Sequence, residues 1–338
     1  MIREMISRVV RGEDLTRDEA RVVMNEIMGG ECTPAQIGAY LTALSIKGAT
    51  VDEVTGSAMV MREKVTRVDA GAGTVIDTCG TGGDHFGTFN ISTAVAFVLA
   101  GAGLKVAKHG NRAASSHSGS ADVLIELGVN VDADVPVIER CIREAGIGFL
   151  YAVHHHSSMK HAIGPRREIG IRTIFNILGP LTNPAGAPHQ LLGVFAPHLT
   201  GLMASVLANL GSRHACVVHG HDGMDEVTTC DETTVAELAD GNVRTYRVKP
   251  EDFGIRRAKL DDLKVDTPAE SARVIRDVFA GKEGPALDIV LLNAAFGLVA
   301  GDRAQSPAEG LQLARRVISD GKAAEALEKL VELSNASD

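Results

Sequence analysis

The chain has 338 residues, 45% of them hydrophobic, so it can bury a large core, and its length favours two domains over one. Its formal net charge of -9 argues against a general binder of nucleic acid or of membrane surfaces. The charged N-terminal sequence does not fit a signal peptide, and no apolar run is long enough to span a bilayer. Five scattered cysteines without a C-x-x-C pair favour reduced thiols. We therefore expect a cytoplasmic globular protein with neither nucleic-acid nor membrane partners.

The first 70 residues carry helix signals and no strand signal. A threonine followed three residues later by Glu or Gln is the pattern of a capping box. It occurs at Thr16 with Glu19, at Thr33 with Gln36 and at Thr50 with Glu53. Residues 1–70 are therefore predicted to form a small helical domain.

From residue 71 onward, short apolar runs alternate with helical patterns. The predicted strands are 74–78, 104–109, 147–152, 190–195 and 214–220, and the predicted helices between them are 91–102, 118–128, 134–146 and 199–211. Such alternation predicts a mostly parallel sheet covered on both faces, so residues 71–338 form an α/β domain. Residues 234–249 resemble a hairpin around Asp240 and Gly241. Segment 165–185 interrupts the alternation, and we expect it to pack with the helical domain.

A glycine-rich loop in 77-DTCGTGGDHFGTFNIST-93 joins the first strand to a helix. Backbone N–H groups of such a loop, together with the helix N-terminus, bind phosphate. Asp84 lies in the same loop, where a carboxylate beside phosphate is unfavourable unless it binds a hydroxyl group or a metal ion. The loop therefore suits a ligand that carries phosphate together with hydroxyl groups or a metal.

The second loop, 108-KHGNRAASSHSGSAD-122, follows the next strand and has a similar composition. Loops after neighbouring parallel strands meet at the carboxyl edge of the sheet, where open α/β folds bind ligands. Lys108 is a charge partner for phosphate, and Asn111 can donate to and accept from a polar substrate. The alternative interpretation is a flexible polar surface loop.

Two adjacent acids, Asp225 and Glu226, follow another predicted strand. Carboxylates at that edge can hold Mg²⁺, which prefers oxygen ligands and bridges to substrate phosphates, and the Ser92 hydroxyl offers a further oxygen. The alternative is a solvated acidic turn, which is the commoner use of such a pair.

No nucleophile with an adjacent base is evident in the sequence. The histidines at 154–156 have no zinc-ligand spacing. Arg166 has the planar group that binds a carboxylate, although an exposed helical arginine is the usual case. These residues favour a reaction in which binding, charge neutralisation and a good leaving group suffice.

Six motifs resemble those of the anthranilate phosphoribosyltransferase family of tryptophan biosynthesis. They are GTGGD at 80–84, NIST at 90–93, KHGNRAASS at 108–116, GSADVL at 119–124, RREIGIRTIFNILGPLTNP at 166–184 and DGMDE at 222–226. The resemblance implies a helical N-terminal domain with a larger α/β domain of the nucleoside phosphorylase and phosphoribosyltransferase type. It also implies a homodimer formed through the helical domain, Mg²⁺ dependence, and transfer of a phosphoribosyl group from phosphoribosyl pyrophosphate to anthranilate.

The resemblance further assigns site residues, with no clear catalytic residue beyond electrostatic assistance from Lys108. Those implied for the sugar pyrophosphate are Gly80, Gly82, Gly83, Asp84, Thr88, Asn90, Ile91, Ser92, Thr93, Lys108, Gly110, Asn111, Arg112, Ala113, Ala114, Ser115, Ser116 and Ser120. Those implied for the metal are Ser92, Asp225 and Glu226. Asn111 and Arg166 match positions that contact anthranilate, with His109 and His156 as pocket neighbours.

Two alternatives remain open at this point. A pyrimidine nucleoside phosphorylase has a similar fold, but its phosphate segment is of the K-x-S-x-x-x-G-H-T-G-G-T type, which differs from residues 108–122 here. A non-catalytic relative that binds nucleic acid is disfavoured by the charge of -9 and by the acid pair.

Overall fold

Four helices form the N-terminal part of the chain in a computed structural model that describes residues 1–83, 86–112 and 118–336. They are α1 (Ile2–Val10), α2 (Arg17–Gly29), α3 (Pro34–Lys47) and α4 (Val51–Lys64). Helices α2, α3 and α4 begin with reciprocal capping boxes at Thr16, Thr33 and Thr50. Each box satisfies two of the N–H groups that a helix start leaves without a partner. The predicted N-terminal helical domain is confirmed.

A seven-stranded sheet forms the centre of the rest of the molecule. Its strands are β1 (Val75–Gly80), β2 (Lys105–Gly110), β3 (Ile147–Tyr151), β4 (His189–Gly193), β5 (His214–Gly220), β6 (Thr233–Ala239) and β7 (Asn242–Val248). They lie in the order β3-β2-β1-β4-β5-β6-β7. Strands β1 to β5 pair in parallel, and β6 and β7 add an antiparallel hairpin at one edge. The mostly parallel sheet and the hairpin were both predicted.

Eleven further α-helices lie within the described residues. They are α5 (Ile91–Gly101), α6 (Ser120–Glu126), α7 (Val135–Glu144), α8 (Ala152–His155), α9 (Lys160–Ile169), α10 (Phe175–Leu178), α11 (Leu199–Asn209), α12 (Pro268–Phe279), α13 (Pro285–Ala300), α14 (Pro307–Ser319) and α15 (Lys322–Asn335). No helix in the described part of the chain is long and apolar enough to cross a membrane.

The two faces of the sheet are buried by different sets of helices. On one face, α5, α13, α14 and α15 form a large apolar cluster in which α13 is almost entirely buried. The other cluster joins α1 to α4 with α11 and with apolar side chains from segment 165–185, among them Phe175 and Leu178. The helical domain therefore shares a continuous core with one side of the α/β domain.

Arg62 on α4 adds a polar link between the two parts. Its guanidinium donates to the Leu181 carbonyl at 2.6 Å and to the Leu210 carbonyl at 3.1 Å. Burial lowers the pKa of Arg62 to about 10. The cation is thus held against carbonyl groups at the ends of two helical segments, where such groups are short of intrahelical partners.

The strand order places a crevice at the carboxyl end of the sheet. From β1 the chain adds β2 and β3 on one side and then returns to place β4 on the other. At such a reversal the loops after the two central strands diverge, and ligands of open α/β folds bind between them. The register pairs Gly80, the last residue of β1, with Gly193, the last residue of β4.

Candidate functional site

A cavity of about 680 Å³ opens at the carboxyl ends of β1 and β2, a volume typical of small-molecule sites. Both predicted loops and the acid pair contribute to its wall. The sequence-predicted residues that line it are Gly80, Gly82, Gly83, Thr88, Asn90, Ile91, Ser92, Lys108, His109, Gly110, Asn111, Arg112, Ser120, Asp225 and Glu226. Segments far apart in the chain are thus brought to one place.

Other predicted residues lie elsewhere. Thr93, His156 and Arg166 are outside the set that lines the cavity. Thr93 is completely buried in the first turn of α5, with no exposed surface. The predictions for Asp84, Ala113, Ala114, Ser115 and Ser116 fall outside the described residues.

The turn that carries Asp225 rests directly on the bare backbone of the two paired glycines. A Cβ atom on Gly80 would lie 2.5 Å from Asp225 Oδ2, and one on Gly193 would overlap the Asp225 carbonyl oxygen. The same Oδ2 accepts a hydrogen bond of 3.0 Å from the Gly82 N–H. Any side chain at these strand ends would displace the acid turn, so both glycines are required for this arrangement.

Asn293 fixes the same turn from the opposite side. It is fully buried in the apolar helix α13, where its Oδ1 accepts from the Val227 N–H at 2.8 Å and its Nδ2 donates to the Val227 carbonyl at 2.9 Å. A buried amide that satisfies both backbone groups of one residue strongly restrains that residue. Since Val227 directly follows Glu226, the acid pair is held between the strand ends and α13.

Lys108 provides a buried cation beside the acid pair. Only 1% of it is exposed, and its Nζ donates to the Thr78 carbonyl at 2.7 Å and to Ser92 Oγ at 3.3 Å. Burial lowers the pKa of Lys108, and the negative charges of Asp77 and Glu226 oppose that effect. The ammonium group therefore joins β1 to the start of α5 and is stabilised by the charge of Glu226.

Asp77 aligns the strands around this lysine. Its Oδ1 accepts from the His109 N–H at 3.0 Å, and its Oδ2 accepts from Asn183 Nδ2 at 2.8 Å. Burial raises the pKa of Asp77, and the hydrogen bond from Asn183 and the charge of Lys108 act against that rise. Sequence reasoning missed this residue, although an acid inside an apolar strand run is the signal that could have identified it.

The start of α5 is suited to binding an anion. Asn90 occupies the N-cap position but makes no side-chain cap, so the helix end is not closed by its own residue. Its side chain instead accepts from Ser118 Oγ at 2.9 Å and from Ser271 Oγ at 3.2 Å. Helix N-terminal N–H groups and the helix dipole together favour a negatively charged ligand. Asn90 thus connects the first loop to the end of the second.

His109, which lines the cavity, forms a pair with the partly buried His156. Their Nε2 atoms are 3.1 Å apart, and their ring centroids are 5.1 Å apart. Burial, together with the proximity of the two rings, lowers the pKa of His109 to about 3. Burial likewise lowers the pKa of His156 to about 4. Both rings are therefore neutral near pH 7, which suits contact with an uncharged or aromatic group.

Two arginines of segment 165–185 differ in position. Arg166 packs over the Phe175 ring at 5.0 Å, and burial lowers its pKa. Arg172 lines the cavity, packs over the Phe195 ring at 4.3 Å and donates to the Gly83 carbonyl. Sequence reasoning missed Arg172. The signal available was Gly170, a helix-ending glycine just before the arginine, which adopts a left-handed conformation at the end of α9.

The acid pair offers ligands of the type that Mg²⁺ prefers. The carboxylates of Asp225 and Glu226 and the hydroxyl of Ser92 all lie at the cavity and are oxygen donors. Within residues 1–83, 86–112 and 118–336, no group of three or more His, Cys, Asp and Glu side chains could hold a metal by itself. Mg²⁺ commonly takes one or two carboxylates and completes its coordination with water and substrate phosphates.

The fold and cavity agree with a known class of enzyme. The chain matches the helical bundle domain of the glycosyl transferase family over residues 3–65 and the α/β domain of that family over residues 72–324. These matches, the switch-point cavity and its two phosphate-type loops define a two-domain glycosyl transferase.

Individual relatives narrow the class. The chain is 54% identical over 349 residues to an anthranilate phosphoribosyltransferase of Geotalea uraniireducens, covering 99% of this chain and 100% of the relative. The crystal structure of the Thermus thermophilus enzyme has a TM-score of 0.92 at 41% identity, with 98% and 99% of the two chains covered. The chain therefore belongs to the anthranilate phosphoribosyltransferase family. This assignment decides against a pyrimidine nucleoside phosphorylase.

Two solved complexes of a more distant relative identify its ligands. The Saccharomyces cerevisiae enzyme in complex with phosphoribosyl pyrophosphate and Mg has a TM-score of 0.90 at 27% identity, with 98% of this chain and 97% of that chain covered. The same enzyme in complex with 4-fluoroanthranilate has a TM-score of 0.88 at 26% identity, with the same coverage. The fold of the present chain is thus shared with an enzyme solved with phosphoribosyl pyrophosphate and Mg and with 4-fluoroanthranilate.

The histidine pair predicts a loss of stability in acid. Below pH 6.5 the unfolded chain protonates both rings, whereas the folded protein keeps them neutral down to about pH 4. Because the unfolded state then binds more protons, the unfolding free energy falls as the pH drops from 7 to 5. The substitution His156→Gln should reduce the slope of unfolding free energy against pH by the equivalent of about one bound proton, or roughly 1.4 kcal/mol per pH unit. Urea unfolding at pH 5, 6 and 7 measures it.

The exposed His198 provides the matched control. His198→Gln should leave the slope as it is in the unsubstituted protein. If His156→Gln does not change the slope of unfolding free energy against pH, the conclusion that both rings are neutral in the folded protein would be contradicted.

Proposed function

We propose that this protein transfers the phosphoribosyl group of phosphoribosyl pyrophosphate to the amine of anthranilate and releases pyrophosphate, as a step of tryptophan biosynthesis. One observation carries the proposal: a glycine loop, a helix start without a side-chain cap, a buried lysine and an acid pair all face one cavity. Together they supply groups for phosphate and for a metal that binds phosphate. Membership of the family supports the choice of donor and acceptor.

The donor is assigned to the loops after β1 and β2. The N–H groups of Gly83 and of Ser92, in the first turn of α5, would donate to phosphate oxygens, and Lys108 would balance the phosphate charge. Ser120 belongs to the same wall, since its Oγ donates to the Asn111 carbonyl at 3.3 Å. Thr88 and Arg112 complete the described part of this subsite.

Asp225, Glu226 and Ser92 are the residues that would hold Mg²⁺. The bound ion would neutralise charge on the pyrophosphate as it departs. The chain's own contribution is to keep the two carboxylates in place. The close contact of the Asp225 turn with Gly80 and Gly193 and the hydrogen bonds of Asn293 to Val227 do this.

The reaction requires charge stabilisation more than proton transfer. The bond between ribose C1 and the pyrophosphate oxygen breaks, and the leaving group takes the electron pair. The anthranilate nitrogen then forms a bond to C1 and gives up one proton, which solvent can accept. An aromatic amine is already neutral at physiological pH, so no strong base is needed, and the two neutral histidines agree with this. Lys108 stabilises the departing anion.

The acceptor is assigned to residues beside the donor subsite. Asn111 and His109 line the cavity, and His156 contacts His109. Arg166 is proposed to bind the anthranilate carboxylate so that the amine points at C1, which makes proximity a major contribution. The partly buried position of Arg166 on Phe175 provides a guanidinium whose charge is only weakly screened by water.

Assembly, domain boundary and location are part of the same proposal. The helical domain is taken to end near residue 70, with segment 165–185 packed against it. A homodimer formed through that domain is supported by two apolar side chains on its surface, Val10 at 68% and Ile46 at 82% exposure. The five free cysteines support a cytoplasmic enzyme.

The proposed function predicts the complete reaction in a purified system. In a mixture of purified protein, phosphoribosyl pyrophosphate, Mg²⁺ and anthranilate, the anthranilate fluorescence should decrease. Pyrophosphate should be released in an amount equal to the anthranilate consumed. Mixtures that lack any one component should show neither change, because the donor, metal and acceptor act together. A folded protein that leaves anthranilate unchanged in the complete mixture would refute the proposed function.

Substitutions in the two subsites should affect the two substrates separately. Asp225→Asn combined with Glu226→Gln should raise the KM for phosphoribosyl pyrophosphate and the Mg²⁺ requirement at least tenfold, since the donor loses its metal. Arg166→Ala should raise the KM for anthranilate about tenfold, because one charge-assisted hydrogen bond is lost. Steady-state kinetics with each substrate varied in turn measures both.

Arg167→Ala, an exposed neighbour of Arg166, serves as the control and should change neither constant. Equal effects of the two main variants on both substrates would contradict the assigned division.

A further inference from the structure

Arg172 connects the cavity to both domains in a way that the proposed donor and acceptor contacts do not use. Its backbone carbonyl accepts a hydrogen bond of 3.0 Å from Ser45 Oγ on α3. Its side chain leaves that anchor, lines the cavity and donates to the Gly83 carbonyl. One residue therefore spans from the helical domain to the glycine loop after β1.

The guanidinium is oriented by an aromatic ring. Its central carbon lies 4.3 Å from the centroid of Phe195, the second residue after β4. Stacking of this kind fixes the plane of the guanidinium group and so the direction in which it donates. Lysine has no such plane, and alanine has neither the charge nor the reach.

Phe195 is itself tied to the glycine loop. Its N–H donates to Thr81 Oγ1 at 3.0 Å, and the Thr81 N–H donates to the Gly193 carbonyl at 2.9 Å. The ring, the loop and the end of β4 thus form one hydrogen-bonded unit that Arg172 holds at a second point.

Gly83 accepts this approach because it has no side chain. Its φ of +83° lies in the left-handed region, and a Cβ atom there would be 3.2 Å from an Arg172 guanidinium nitrogen. The loop conformation and the position of the arginine therefore depend on each other.

We propose that Arg172 is a positioning residue for the sugar pyrophosphate: by holding the Gly83 carbonyl it keeps the Gly80 to Gly83 loop in the shape that receives the donor. The proposal rests on the proposed function for the identity of the donor. The role of Arg172 itself depends only on the loop binding a pyrophosphate group. Arg172 acts on the donor through the loop, and the acceptor is not affected directly.

The test compares Arg172→Ala and Arg172→Lys with Arg167→Ala, which removes the same charge from an exposed position on α9. Arg172→Ala should raise the KM for phosphoribosyl pyrophosphate about tenfold, the effect expected for one lost charge-assisted hydrogen bond, and change the KM for anthranilate less than twofold. Arg172→Lys should give an intermediate KM, and Arg167→Ala none of these effects. An equal rise in both KM values, or a rise confined to anthranilate, would overturn the proposal.

A second measurement separates positioning from direct contact. Hydrogen exchange of the peptide around residues 77–83 in the ligand-free protein should be faster in Arg172→Ala than in Arg167→Ala, because the loop has lost its restraint. Unchanged exchange would overturn the positioning role.

Calorimetric titration with inorganic pyrophosphate and Mg²⁺ completes the test without turnover. Arg172→Ala should bind about tenfold more weakly than the unsubstituted protein. If the unsubstituted protein binds this probe more tightly than Arg172→Ala does but forms no product, the proposed function fails while the role of Arg172 stands. If Arg172→Ala binds the probe unchanged, the role of Arg172 fails.

Discussion

The site depends on one steric constraint, the contact between the Asp225 turn and the bare strand ends at Gly80 and Gly193. Parallel strands in register place these two glycines side by side, and the acid turn lies on them with no room for a Cβ atom. Glycine is used here for close approach, since neither residue has a left-handed φ. The backbone contact with Gly80 and Gly193 therefore sets where the carboxylates lie relative to the phosphate loops.

Charge burial explains why the surrounding groups are so completely hydrogen-bonded. An ammonium and a carboxylate in a protein interior each cost several kcal/mol unless partners replace water. Lys108 has Thr78 and Ser92 as acceptors, and Asp77 has His109 and Asn183 as donors. These bonds come from β1, β2, α5 and the end of segment 165–185. The elements that form the cavity are therefore held together by the same charges that prepare it for an anion.

The chemistry assigned to the cavity follows from this preorganisation. A fixed cation, oriented backbone N–H groups and a pair of carboxylates need little rearrangement when a pyrophosphate leaves, and such preorganised electrostatics is usually the largest single contribution to catalysis. The neutral histidines and the absence of a nucleophile in the sequence motifs are consistent with a reaction that proceeds without covalent catalysis. Arg172 and Asn293 extend the same principle one layer outward, since each restrains a loop and neither belongs to the proposed metal site.

Local sequence patterns predicted much of this, and long-range packing accounts for what they missed. Capping boxes predicted the N-terminal helices because Thr and its N3 partner are only three residues apart. Alternating strands and helices predicted the parallel sheet, and the order of the loops placed the cavity at its carboxyl edge. The contact of Gly193 with Asp225 and the hydrogen bonds of Asn293 to Val227 join distant segments, which no local pattern encodes. Arg172 was missed because Gly170 signals only the helix end before it, whereas its contacts with Gly83 and Phe195 are long-range. Arg166, singled out for its chemistry, packs on Phe175 outside the cavity wall.

The most direct test of the account is the affinity of Gly193→Ala for inorganic pyrophosphate in the presence of Mg²⁺, measured by calorimetry. Gly201→Ala on α11 is the matched control, because a Cβ atom there meets nothing within 4 Å. Circular dichroism establishes that both variants are folded. We predict that Gly193→Ala binds at least tenfold more weakly, since the new methyl group must displace the Asp225 backbone, and that Gly201→Ala binds as the unsubstituted protein does. Unchanged affinity in folded Gly193→Ala would contradict the claim that close contact with Gly80 and Gly193 positions the metal-binding acids.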